Sequence, residues 1–188
     1  MIGFSMATAK TGSFYLTETV TLPNGSASGT RILGSIDLGA YVNVATGQAI
    51  AIDQVDFVTQ CGADLGNSLS QMIGGNGCFS FQVTDLNPGS GFVRADNQSL
   101  VASGSLNIDD VNNIGTHASD LYPDNYGPTA LSESFMVVND TLYLVAGVDQ
   151  APVGLDDVFI TARIRCRVVK LGSKDWMAIA IQSTASDN

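Results

Sequence analysis

The stretch Asp157-Val158-Phe159-Ile160-Thr161-Ala162-Arg163-Ile164-Arg165-Cys166-Arg167-Val168-Val169 decides how the chain is read. Its even positions, Val158, Ile160, Ala162, Ile164, Cys166 and Val168, are all apolar, while its odd positions include Thr161, Arg163, Arg165 and Arg167. Alternation at period two along such a length places one row of side chains in a core and the other outside it. A helix would scatter the same apolar groups around all its sides. Lys170 to Lys174 then reads as a turn and Asp175 to Gln182 as a further strand, which predicts a long C-terminal β-hairpin. A lone hairpin is marginal in water, so a partner sheet is required.

Composition agrees with a sheet protein. The chain has 188 residues, which makes one domain spanning residues 1–188 the expectation. Hydrophobic residues make up 45%, enough for a packed core, but charged residues only 14%. The surface is therefore covered largely by Ser, Thr, Asn, Gln and Gly, as in a turn-rich all-β protein or one whose surface is occupied by neighbours. The acids are 16 Asp and 2 Glu, and Asp suits turns where Glu suits helices. The net charge of −10 is unevenly placed: residues 1–160 hold 16 acids and 3 bases, residues 161–188 hold 2 acids and 5 bases. An acidic bulk without a basic arm argues against direct nucleic-acid binding, which needs a basic footprint.

Upstream, Ser13–Leu22 alternates with Phe14, Leu16, Val20 and Leu22 on one face. Pro23–Gly29 is a turn, and Arg31–Leu38 a second strand in which Gly34 marks a bulge or a crowded spot. In Gln48–Thr59 the apolar row is Ile50 and Ile52, then Val55 and Phe57. The phase slips by one at Asp53-Gln54, which predicts a β-bulge. Asp64–Ile73 is the one helix candidate, with Leu65, Leu69, Met72 and Ile73 at helical spacing, Asp64 as cap and Gly74-Gly75 as stop. Cys78–Thr84 and Leu100–Ile108 are further strands. Asp109–Ala130 is a long loop holding His117, Tyr122 and Tyr126, and a loop of that length signals function or contact. Ser132–Val138 and Thr141–Val148 flank Asn139-Asp140, which reads as a two-residue hairpin turn. About nine strands with one short helix fit an antiparallel β-sandwich, best a Greek-key jelly roll; a lipocalin-type barrel or an immunoglobulin-like sandwich also fits.

Chemistry is sparse. A Ser-His-Asp triad has only His117 to draw on, with no nucleophile elbow beside it, so a surface histidine in the loop is the plainer reading. Cys61, Cys78 and Cys166 lack metal or disulfide spacing and read as small buried hydrophobes, with a Cys61–Cys78 bridge as the lesser alternative. The pairs Asp53/Asp56, Asp109/Asp110 and Asp156/Asp157 suit turns and strand ends; Asp109, Asp110, Asp156 and Asp157 are the weak candidates for calcium, the one cofactor these pairs admit. The same aspartate pairs could in principle serve glycoside hydrolysis, but two Glu in the whole chain and no aromatic-lined cleft make that a weak reading. The glycine-rich pieces match no phosphate-binding fingerprint, and Trp176 has no interleaved basic residues for nucleic-acid stacking. No catalytic set is expected. Met1–Met6 has no basic start and no apolar run of a secretory leader, and no stretch has the length of a membrane span. Synthesis and use inside the producing cell is the expectation.

Arg163, Arg165 and Arg167 are the most specific feature. On one strand face they form a ladder about 13 Å long. It reads either as a solvated face or charged edge, or as a basic stripe that meets the acidic surface of a neighbouring copy and sets register.

The length, the β-rich pattern and the run Ile160 to Leu171 followed by Asp175-Trp176-Met177-Ala178-Ile179-Ala180-Ile181 resemble single jelly-roll major capsid proteins of tailless icosahedral DNA viruses, including those of archaea and bacteria. That resemblance rests on the overall pattern across the chain. It implies a structural virion protein, made in the host cytoplasm, that self-assembles into an icosahedral capsid with further copies and with other capsid proteins. It also implies no catalytic residues, and genome contact elsewhere, as behind an internal viral membrane. Arg163, Arg165, Arg167, Tyr122 and Tyr126 are then the expected subunit contacts. The alternative is a non-enzymatic sandwich that binds a glycan or receptor through loop aspartates, with calcium.

Overall fold

The computed structural model describes residues 7–66, 68–119 and 134–185. The strand read first is β10 (Val158–Lys170), and it lies inside a sheet, not at its edge. On one side it pairs antiparallel with β2 (Phe14–Leu22) and, farther on, with the short β1 (Thr8–Ala9); on the other it pairs with β4 (Gln48–Cys61). β8 (Phe135–Val137) closes this first sheet against β4. The second sheet runs β3 (Arg31–Asp37), β9 (Thr141–Asp149), β5 (Gly77–Thr84), β6 (Leu100–Asp109) and β7 (Ile114–Ser119).

With β1 and β7 set aside, the two faces are β2-β10-β4-β8 and β3-β9-β5-β6. The chain changes sheet at nearly every connection, and its first and last long strands lie side by side. That is the two-Greek-key order of an eight-stranded jelly roll, and it excludes the closed barrel and the immunoglobulin order. The even row of β10, from Val158 to Val168, is buried, as the alternation requires. Opposite it lie Phe79, Phe81, Leu142 and Leu144, and Phe57 tilts on Phe81 with ring centroids 4.6 Å apart. Gly34 is a crowded spot rather than a bulge: a Cβ there would sit 2.8 Å from Val20 Cγ1 of the facing sheet.

The expected bulge in β4 is present. Arg165 pairs with Gln54 and Cys166 with Ile52, so Asp53 is the extra residue. Several other expectations need correction. Asn139-Asp140 does not close a hairpin, because β8 belongs to one sheet and β9 to the other. Both flanking segments alternate because each faces the same core, so periodicity alone did not reveal the crossing. The long loop contains β7, which forms the true hairpin with β6. His117 therefore lies on a strand, exposed, its ring stacked 5.7 Å from Phe81.

The last correction concerns the C-terminus. Ser173–Ala185 is a helix, α2, not a returning strand. Trp176 to Ile181 is apolar at every position, so it carries no period to separate strand from helix. Trp176, Ile179 and Ala180 fall on one helical face and pack on Ala49, Ala51, Val138, Val169 and Leu171, the outer side of the first sheet. Asp175 sits in the first turn, where the helix dipole favours an acid. The other helix, α1 (Leu69–Met72), is shorter than expected. Asp64 lies in a preceding turn, Ser68 stands at the N-cap position, and Leu65 has φ 55°.

Candidate interaction surface

α2 covers only one end of the first sheet's outer face. Beyond it, on the odd row of β10, Arg163 is exposed and Thr161, Arg165 and Arg167 are half-buried. Arg163 stands between Thr17 and Asp56, and Arg165 between Tyr15 and Gln54. The Arg163 guanidinium lies 5.2 Å from the centroid of the half-exposed Tyr15 ring, a cation–π contact. Asp56, its neighbour in register, accepts a hydrogen bond from Gln54 Nε2 at 3.1 Å. Among the described residues neither Arg163 nor Arg165 forms an ion pair, and the buried Arg165 Nε has no hydrogen-bond partner.

Arg167 differs. The bulge brings Asp53 beside it, and Arg167 Nη2 donates to Asp53 Oδ1 at 2.7 Å. Ser134 Oγ donates to the same oxygen at 2.7 Å. Only 5% of the Asp53 side chain is exposed, so the pair is structural, and the ladder keeps one exposed cation, Arg163, and one half-buried cation, Arg165, outside an ion pair among the described residues. Beneath it, burial first and the Asp53 carboxylate second push the Cys166 thiol up to about 12. Burial, then Asp156 and Asp157, also raise the Cys61 thiol. All three cysteines are free, Cys61 and Cys166 buried and Cys78 half-buried.

The four aspartates considered for calcium gather at one end of the sandwich. Asp157 Oδ1 accepts the Asn24 N–H at 2.8 Å, and Asp109 caps its own turn, accepting from Asn112 Nδ2 at 2.6 Å and Asn112 N at 3.1 Å. Those bonds, the side-chain one foremost, hold the Asp109 carboxyl below its ordinary range. Asp110 N donates to Asn76 Oδ1, and Asp156 flanks Gly62. No group of three or more His, Cys, Asp or Glu among the described residues is arranged to hold a metal ion. Tyr122 and Tyr126 lie outside the described residues.

Sequence reading missed two partners. Tyr15 was legible as an outward residue of its strand, but its place beside Arg165 depends on register. The Asp53–Arg167 pair was half-signalled, by the phase slip on one strand and the ladder on the other.

The fold and this face define a non-barrel, jelly-roll β-sandwich with a basic patch that carries no ion pair at Arg163 or Arg165 among the described residues. No family model matches the chain, and no curated protein does. Among solved structures it is similar to an unassembled mutant VP1 pentamer of Washington University polyomavirus, at 13% identity and TM-score 0.39, over 90% of this chain and 99% of that one. It is also similar to a Desmodium yellow mottle tymovirus structure, at 8% identity and TM-score 0.33, over 86% of this chain and 91% of that one. At such scores the strand order, not the likeness, carries the fold.

Proposed function

We propose that this chain is a structural virion protein that self-assembles into an icosahedral capsid, of the single jelly-roll kind found in tailless DNA viruses of archaea or bacteria. One observation carries the reading: the exposed Arg163 and the half-buried Arg165 stand without an ion pair among the described residues, on the outer face of a jelly-roll sheet, in a chain with a net charge of −10 whose residues 1–160 hold 16 acids and 3 bases. Such a patch is complementary to the acidic surface of another copy and would orient it. The partners are further copies and other capsid proteins, with an internal membrane beneath the shell and no direct genome contact. The site of action is the virion, after synthesis in the host cytoplasm.

A second reading, a calcium-dependent glycan- or receptor-binding sandwich, is favoured by the convergence of loop aspartates at one end. Negative-stain microscopy of purified protein separates the two. Rings, capsomers or shells support the coat protein. A dispersed monomer that binds glycans with calcium, and loses them to a chelator, supports the second reading.

A further inference from the structure

The open arginine face needs a counterpart, and the loop end of the sandwich has the matching chemistry. Four segments meet there, residues 23–30, 62–66 with 68–76, 110–113 and 150–157. Backbone hydrogen bonds tie them together: Gly25 N to Gly154 O, Gly62 N to Asp157 O, Gly154 N to Met72 O and Asp156 N to Gln71 O. Asn76 Oδ1 adds the 110–113 turn by accepting from Asp110 N at 2.8 Å. The four loops contain Asp64, Asp110, Asp156 and Asp157 and no Lys or Arg at all.

Three of them have the same design at the tip, an aspartate next to a large apolar side chain in solvent. The pairs are Asp64-Leu65, Asp110-Val111 and Leu155-Asp156, with Leu65 52%, Val111 83% and Leu155 75% exposed. Leu65 is moreover held at φ 55°, a backbone region that costs a leucine energy, yet about half of it stays in solvent. Strain combined with apolar exposure indicates an end built for something outside the monomer. The arginine face is the complement in both respects. It carries Arg163 and Arg165 for the aspartates, and Tyr15 and Val58, both exposed, for the apolar tips.

We propose that the acidic loop end of one copy docks on the Arg163/Arg165 face of the next, with the occupant a second copy of this chain. The inference rests on the coat-protein reading and supplies its contact. Two different patches are joined, so the interface is heterologous, the kind that propagates around a ring or across a shell rather than stopping at a two-fold dimer.

Charge exchange tests it. One variant carries Arg163→Glu with Arg165→Glu, a second Asp64→Lys with Asp110→Lys, and a third all four changes. Asp64 and Asp110 are exposed, and their side chains make no hydrogen bond among the described residues. Circular dichroism establishes that each variant is folded, and Arg163→Gln with Arg165→Gln replaces the first if it is not. By sedimentation velocity, each two-residue variant should associate at least about tenfold more weakly than wild type, and the four-residue variant should recover most of the loss. Wild-type assembly that survives both reversals, or a four-residue variant as defective as the two losses combined, overturns this contact and leaves the coat-protein reading standing. A wild-type chain that never associates overturns both.

Discussion

Arg31 and Arg163 both sit on outer sheet faces, and they are used in opposite ways. On the second sheet, Arg31 Nη2 donates to both oxygens of Asp149 at 2.9 Å, its guanidinium lies 4.5 Å from the Phe92 ring centroid, and its side chain lies against Gly147. The adjoining loop is fixed by Gln82, whose side-chain amide donates to Val93 O and accepts from Val93 N, both at 2.9 Å. That cation is engaged inside its own chain. Arg163 has an aromatic beside it and a carboxylate in register, but no ion pair among the described residues. Arg167, two positions further on than Arg165, is engaged like Arg31. A cation bound bidentately or beside a buried carboxylate holds the fold together; a cation left in solvent on a rigid strand is available to a partner.

Removing an engaged partner should break the comparison most visibly. Asp53→Ala leaves the Arg167 guanidinium without its carboxylate and Ser134 without its acceptor, and should cost about 3 kcal/mol in denaturant unfolding. Gly147→Ala comes next. Its Cβ would stand 2.5 Å from Arg31 Nη1 and 2.8 Å from Thr30 O, so Arg31 must leave its seat, at a cost of about 2 kcal/mol. Arg163→Ala should change stability by under about 0.5 kcal/mol while weakening association, the reverse of the Arg167 partner. An equal stability loss at both positions would erase the distinction.

pH supplies an independent test. The Cys166 thiol, ordinarily at 9.0, stands at about 12 in the folded chain. The unfolded thiol ionises first as pH rises, so the stability held by the protonated folded thiol is complete below 9.0 and is lost on the way to about 12. The stability gap between wild type and Cys166→Ala should shrink over that window. A constant gap would mean that the thiol is not shielded.

Much of this was legible in the sequence because alternation is a direct consequence of one buried face. It located β2, β4, β5 and β10, and the slip at Asp53 located the bulge without any structure. Where alternation was absent or ambiguous, reading failed. The uninterrupted apolar run Trp176–Ile181 carries no period, and the contact of Trp176, Ile179 and Ala180 with Ala49, Ala51 and Val169 is a tertiary one that the run itself does not announce. Asn139-Asp140 has hairpin chemistry, yet the chain crosses between sheets there, with Leu38 N donating to Asp140 O. The arginine ladder was visible as a pattern, but which rungs are free depends on a partner brought in by register. The convergence of the acidic loop tips is a property of the sheet order alone.

If opposite charges join copies of this chain, its association must weaken as salt rises. The most direct measurement is the mass of the wild-type protein in solution at micromolar concentration, by light scattering from about 0.05 M to about 1 M salt. The account predicts defined multiples of the chain, or shells, that dissociate as salt screens the arginines. A monomer at every salt concentration would contradict it.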